Sequence, residues 1–268
     1  YKFSGFNTNI FTDASYLWIA KNQTIITGLN LQYDDFKQKN VSILSAKSNT
    51  IGAYIQQTWD ISEDIKLENG LRFDNVNYSN INFSKSEAFV LPKFSALFQI
   101  NDKWSSRIGG GLGYKIPTIF IEQTEANQYQ NVLALNNVKA EKSIGGTTDV
   151  NYKTNLSEDF VFSINQMFFI TQINKPLVLQ NNGTNTYFIN ASKPIVSNGF
   201  ETNVKFIFKE DLKFFVGYTF TDAKAKYLTS NQFLPLLPKN KLNMTLIFEK
   251  EDNFKLGLEG FFTDKQFL

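Results

Sequence analysis

Membrane-spanning antiparallel β-strands, part of a large up-and-down β-barrel, are what this sequence predicts. Three features carry the prediction: hydrophobic alternation of period two, connections sorted by length, and aromatic rings gathered at strand ends. Alternation marks strands with two unlike faces. The sorting is what a bilayer imposes on a barrel, with short turns on one side, long loops on the other and rings at both interfaces.

In chain order, about twelve strands are expected, near 11–20, 24–34, 49–60, 65–77, 88–100, 104–115, 139–153, 160–173, 194–208, 212–222, 239–249 and 254–264. The first carries Trp18 within a few residues of the polar turn Lys21-Asn22-Gln23. In the fourth, Ile65, Leu67, Leu71 and Phe73 oppose Lys66, Glu68, Arg72 and Asp74. In the ninth, Phe200, Thr202, Val204, Phe206 and Phe208 oppose Gly199, Glu201, Asn203 and Lys205. Leu242, Met244, Leu246 and Phe248 oppose Lys241, Asn243 and Thr245 in the eleventh. Phe254, Leu256, Leu258 and Phe262 oppose Lys255, Gly257 and Glu259 in the twelfth. No helix and no second domain are expected, so residues 1–268 read as one partial transmembrane barrel domain.

Every second connection is a tight polar turn, as at Ser62-Glu63-Asp64, Asn101-Asp102-Lys103 and Glu251-Asp252-Asn253. The alternate connections are long, near 35–48, 78–87, 116–138, 174–193 and 223–238. A soluble sandwich, propeller or lipocalin-like barrel also alternates, but it does not sort its loops, and its strands average ~5–6 residues. Rings lie beside the short turns (Trp18, Trp59, Trp104, Phe160, Phe208, Phe248, Phe254) and again at the opposite ends (Tyr33, Phe73, Phe89, Tyr114, Phe220, Phe262). A strand tilted ~45° climbs roughly 2.3 Å per residue, so about eight to ten residues between two such belts span the ~25 Å apolar band.

Composition narrows the function. The chain carries 27 Phe, 11 Tyr and 3 Trp at a mean hydropathy of only −0.25, as rings at two interfaces around a polar lumen require. The 27 Lys plus Arg against 25 Asp plus Glu leave a net charge of +2, which argues against nucleic acid. Without Cys or His there is no thiolate, and the commonest general base and commonest metal ligand are missing. No catalytic residue, metal site or cofactor is therefore expected. No stretch approaches the ~18 apolar residues of a membrane helix. Tyr1-Lys2-Phe3-Ser4-Gly5 begins no signal peptide, so a mature chain or a fragment is expected. The last strand runs outward to Gln266-Phe267-Leu268, and at least one returning strand is expected beyond it, because hydrocarbon does not tolerate an open edge.

Several segments, in order, resemble the barrel of TonB-dependent receptors of the iron–siderophore type. RIGGGLGYKIPT (Arg107 to Thr118) is similar to that family's glycine-rich strand ending in Tyr-Arg/Lys-x-Pro. NNVKAEKSIGGTTDVNYK (Asn136 to Lys153) resembles its Leu-x-x-Glu-x-Ser strand, with Glu141 and Ser143 in place and Val138 for the Leu. NASKPIVSNGFETNVKFIF (Asn190 to Phe208) resembles its Asn followed by Gly-hydrophobic-Glu, and YTFTDAKAKY, LPLLPKNKLN and FFTDKQFL follow in order.

The resemblance implies a 22-stranded outer-membrane barrel, of which this segment is about strands eight to nineteen. Such a barrel imports a scarce nutrient: an iron–siderophore complex first, cobalamin or another metal complex second, a passive porin or adhesion barrel as the alternative of another class. It further implies a monomeric barrel in outer-membrane lipid, a small metal-complex substrate, and coupling to TonB through a plug lying outside these residues. Glu201 matches a lumen glutamate that pairs with plug arginines. Glu141 is a second plug-contacting candidate, with Thr147, six positions on, as the other matching place. Phe120, Tyr129, Gln130, Tyr187 and Phe188 are the loop residues expected to contact ligand.

Overall fold

The computed structural model describes residues 3–39, 43–209, 211–235, 237–250 and 253–266. The chain runs β1 (Gly5–Ala20), β2 (Gln23–Gln38), β3 (Ala46–Asp60), β4 (Ile65–Asn80), β5 (Ser84–Gln99) and β6 (Trp104–Lys115). A short helix α1 (Glu122–Ala126) follows, then β7 (Glu141–Ser157), β8 (Phe160–Asn174), the small strands β9 (Leu177–Asn181) and β10 (Thr186–Asn190), β11 (Ile195–Phe208), β12 (Leu212–Ala225), β13 (Asn240–Lys250) and β14 (Phe254–Thr263). Twelve of the strands form one antiparallel sheet in which each pairs with the next along the chain, β8 pairing with β11 across the separate β9–β10 hairpin. The sheet is open between β1 and β14.

Register makes the two faces explicit. Ala14, Leu29, Ala53, Phe73 and Val90 lie opposite one another across β1–β5. One residue along, Asp13, Asn30, Gly52, Asp74 and Phe89 form the neighbouring row on the other face. The apolar row is exposed, with Leu29 at 63 % and Phe73 at 48 %. Apolar exposure continued over a whole sheet face far exceeds the few hundred Å² of a soluble monomer, and hydrocarbon is its natural solvent. At the turn end of that face the rings run Trp104, Tyr152, Phe162, Phe206 and Phe214, with neighbouring centroids 4.6, 6.3, 5.2 and 6.3 Å apart. A second group, Phe168, Phe200, Tyr218 and Phe220, gathers around Phe200 nearer the loop end.

Three expectations are corrected. Residues 78–87 are not a long loop: β4 and β5 continue to Asn80 and Ser84, pairing Tyr78 with Lys85 and Ser79 with Ser84, and only 81–83 turn. The β6–β7 connection contains helix α1, and the β8–β11 connection contains a hairpin. Phe89 and Tyr114 do not belong to the lipid-facing girdle. They stack face to face at 4.0 Å on the inner side, and the Tyr114 hydroxyl donates to Asp74 at 2.8 Å.

The physical reason lies where the β5–β6 pairing ends. β5 and β6 keep register only over Lys93–Gln99 against Ser105–Gly111. Strict alternation from Arg107, which lines the inner face with Glu68 and Lys93, would turn Tyr114 toward lipid. The β5–β6 pairing ends at Gly111, while β6 stays paired with β7 without a shift as far as Lys115. A Cβ on Gly110 would come within 2.8 Å of the Gly145 carbonyl oxygen, so only glycine allows that approach of the backbones. Beyond Gly111 the end of β6 is unpaired with β5, and Tyr114 lies against Phe89 and Asp74.

The buried apolar residues lie at the loop end. Phe36, Leu44, Ile119, Val132, Leu135, Val138, Leu177 and Phe188 form one cluster beneath the loops. Val76, Tyr78, Phe89 and Ala140 form a second on the inner wall.

Candidate functional site: the inner wall and its loop cap

The inner wall of β1–β6 is a ladder of mixed charges and amides. Asn7 and Asn9 donate to Asp34 at 3.2 and 3.1 Å, and the Tyr54 hydroxyl donates to Asp13 at 3.1 Å. Arg72 donates from Nη2 to Asn30 at 3.0 Å and pairs through Nε with Asp74 at 2.8 Å. Lys93 meets Glu68 at 2.6 Å. Asp74, with only 2 % of its side chain exposed, is held by Arg72 and Tyr114 together, as a carboxylate taken out of water must be.

The loop end is closed by residues 116–140 folding onto the ends of β4 and β5. The Tyr78 hydroxyl donates to Glu87 and to the Val138 carbonyl, whose oxygen also accepts from Lys85 at 3.2 Å. Asn80 Nδ2 donates to the Leu135 carbonyl at 2.7 Å, and the Ala140 N–H donates to Glu87 at 3.0 Å. The β9–β10 hairpin, turned through Asn182 and a left-handed Gly183, joins this cap where Leu133 and Asn131 exchange backbone bonds with Thr186. Asn190 fastens the joint: its side chain accepts from the Lys139 N–H and donates to the Lys139 and Lys175 carbonyls at 2.7–2.9 Å. That is the physical content of the Asn in the Asn…Gly-Phe-Glu segment. Gly199 has an equally plain reason, since a Cβ there would collide with the Phe220 carbonyl and the Phe169 ring.

Glu201 stands on the inner face of β11 opposite Met167 and Thr219, where its carboxylate accepts from Asn203 Nδ2 at 2.6 Å. Among the described residues it has no ion-pair partner. Glu141 is not brought beside it. It begins β7 at the loop end and accepts the Leu177 N–H at 2.6 Å; burial, with the Glu141 charge added to it, pushes the Tyr227 phenol up. Thr147 faces inward beside Gly109 and Phe169.

The five loop residues divide. Phe120 is 40 % exposed and meets Phe36 edge-on at 4.9 Å, while Gln130 is exposed. Tyr129 stacks on Phe3 at 4.0 Å, its phenol pushed up by burial and Glu125. Tyr187 is half-buried and donates to Gln180, and Phe188 is 4 % exposed within the cap cluster. Phe3 and Phe36 join this aromatic group without having been singled out in the sequence, where nothing ties chain positions so far apart. Among the described residues no group of three or more acidic side chains is placed to hold a metal ion.

A lipid-facing apolar side, a charged inner side and long loops packed at one end define a segment of a membrane β-barrel. The chain belongs to the TonB-dependent receptor-like β-barrel family, whose profile matches residues 2–267. Curated protein sequences give no match. Among solved structures, the FrpB iron transporter of Neisseria meningitidis (F5-1 variant) is similar over 97 % of this chain and 43 % of its own, at 17 % identity and TM-score 0.69. The siderophore receptor PirA of Pseudomonas aeruginosa matches over 96 % of this chain and 46 % of its own, at 17 % identity and TM-score 0.68. The Serratia marcescens hemophore receptor HasR, solved with its hemophore HasA and heme, matches over 97 % and 51 %, at 13 % identity and TM-score 0.71. The chain thus spans about half the length, or less, of the structures it resembles. At these identities the likeness is one of fold.

Proposed function

We propose that this chain forms part of the bilayer-spanning wall of a bacterial outer-membrane receptor that imports an iron–siderophore type complex. The energy comes from TonB, coupled through a plug contributed by the complete protein. The observation that carries the reading is the combination, in a barrel of this family, of a charged inner wall with long loops packed around aromatic side chains at one end. A passive porin gains nothing from an apolar and aromatic cluster gathered beneath its loops. A receptor that must hold a ligand and exclude solutes does. In this reading the long loops face outward, Glu201 and Glu141 are lumen-side anchors for the plug, and Phe120, Tyr129, Gln130 and Tyr187 contribute to the ligand face, with Phe188 packed beneath them. Cobalamin or another metal complex is the second substrate reading.

The test is uptake of radiolabelled ferric siderophores by a strain lacking the complete gene, and by a strain lacking TonB. Uptake lost in both and restored by the gene is the expected result. Uptake that depends on the gene but not on TonB would establish a passive pore instead. Loss confined to cobalamin would move the substrate to the second reading.

A further inference from the structure

β5 and β6 separate before either strand ends. Their pairing stops at Lys93 opposite Gly111, although β5 begins at Ser84 and β6 runs on to Lys115. The ladder gives the reason. The Ile100 N–H donates to the Trp104 carbonyl, so hydrogen-bonded pairs recur at Phe98, Ala96 and Phe94 against Ser106, Ile108 and Gly110. The next such pair would be Pro92 with Leu112, and proline has no N–H to give. Beyond it, β5 is held by β4 alone and β6 by β7 alone. At ~2.3 Å of climb per residue, Leu112 stands roughly 18 Å from Trp104, near the loop-side rim of the ~25 Å apolar band, where water reaches unpaired backbone groups.

The split is bridged through side chains. Tyr114 stacks on Phe89 and donates to Asp74, and Lys142 stands over the Phe89 ring at 5.5 Å. Glu87 accepts the Ala140 N–H, and Lys85 donates to the Val138 carbonyl. Among the described residues no backbone-to-backbone hydrogen bond joins residues 113–140 to β1–β5. The same segment is fixed by backbone bonds to the β9–β10 hairpin, at Leu133 and Asn131 against Thr186.

A belt of glycine lies just short of the split. Gly110 and Gly111 of β6 stand directly opposite Gly146 and Gly145 of β7. Glycine leaves a strand interior without side chains to resist bending. β8 presents Ile170 and Thr171 at that level, so the compliance fades away from the split.

We propose that the loop ends of β6 and β7, with the cap and the β9–β10 hairpin, form an arm that bends at the glycine belt and opens the wall between β5 and β6. The moving part is a piece of the barrel wall, and the loops ride on it. Latched, Tyr114 and Phe89 close the seam. Released, the arm carries residues 116–140 away from β4 and β5 and widens the mouth of the barrel.

Electron–electron distance measurements in the complete receptor read the arm directly, between spin labels on cysteines at Asn82 and Asn127. Both residues are exposed, one in the β4–β5 turn and the other at the end of α1. Tyr114→Phe removes a hydrogen bond to a carboxylate and keeps the ring stack, so the ratio of long to short distances should rise about tenfold. Gly146→Val stiffens the belt, and a Cβ there meets no atom nearer than 3.5 Å, so the barrel still folds. Added to Tyr114→Phe, it should return the ratio to that of the unaltered receptor. Pro92→Val, which supplies the N–H opposite Leu112, should do the same. Heat-modifiable migration reports that each barrel is folded. A distance that Tyr114→Phe leaves unchanged overturns the arm. A long distance that persists with Gly146→Val overturns the hinge, and one that persists with Pro92→Val overturns the seam.

Discussion

Glu201 and Asp74 face the same interior and differ in how their charge is met. Asp74 is enclosed by Arg72 and Tyr114, whereas Glu201 has a single amide donor, Asn203, and no cation among the described residues. A carboxylate left in that condition on a barrel wall is available to a cation from elsewhere in the complete protein. Glu201→Gln in the full receptor should therefore leave the barrel folded and loosen the plug, because removing one partner strands the other charge in a confined space. Increased permeability to large antibiotics, with unaltered heat-modifiable migration, is the expected outcome. Permeability and plug hydrogen exchange that both stay unchanged would make Glu201 a hydrated wall charge. At this scale the sequence revealed that Arg72, Asp74 and Glu201 point inward, since alternation alone decides that. It did not reveal that Tyr114 joins Asp74, because β5 and β6 part after Gly111, and alternation along one strand says nothing of contacts made where pairing has ended.

At the scale of the element, strand identity was legible throughout and strand ends were not. Every expected strand is present, but β1 begins at Gly5 rather than near residue 11, and β4 and β5 run on through residues taken for a loop. Polar residues such as Asn77, Ser79 and Ser86 dominate there, so the hydrophobic alternation fades while the backbone pairing continues. Helix α1 and the β9–β10 hairpin escaped notice because their stability comes from the cap cluster, which no local period encodes. The face assignment of β11 has a sharp test. Val204 lies in an outward row with Ile164, Val216 and Met244, whereas Asn203 lies inward with Asn165 and Gly217. Val204→Arg should cost ~2–4 kcal/mol near the membrane midplane. Asn203→Arg, one position away, should cost far less in the same urea titration of the full receptor. Equal losses would mean that the two faces are exchanged.

The molecule as a whole is a twelve-stranded wall whose three levels are chemically distinct: polar turns at one end, a ring-bounded apolar band, and a packed cap of long loops at the other. This layering follows from the solvent each level meets, which is why a period of two, connection length and ring position were enough to read the fold. None of those three speaks to the loop contacts at the cap, which only the folded chain brings together. The central claim, that the wall spans a membrane with its long loops outside, is tested most directly by single cysteines at Asn182 and at Asp102 in the otherwise cysteine-free sequence of this segment. Both residues are exposed, one in the β9–β10 turn and the other in the β5–β6 turn. On intact cells a membrane-impermeant thiol reagent should modify the cysteine at Asn182 and spare that at Asp102, with both modified once the membrane is opened. Modification at Asp102 while the membrane is intact would contradict it.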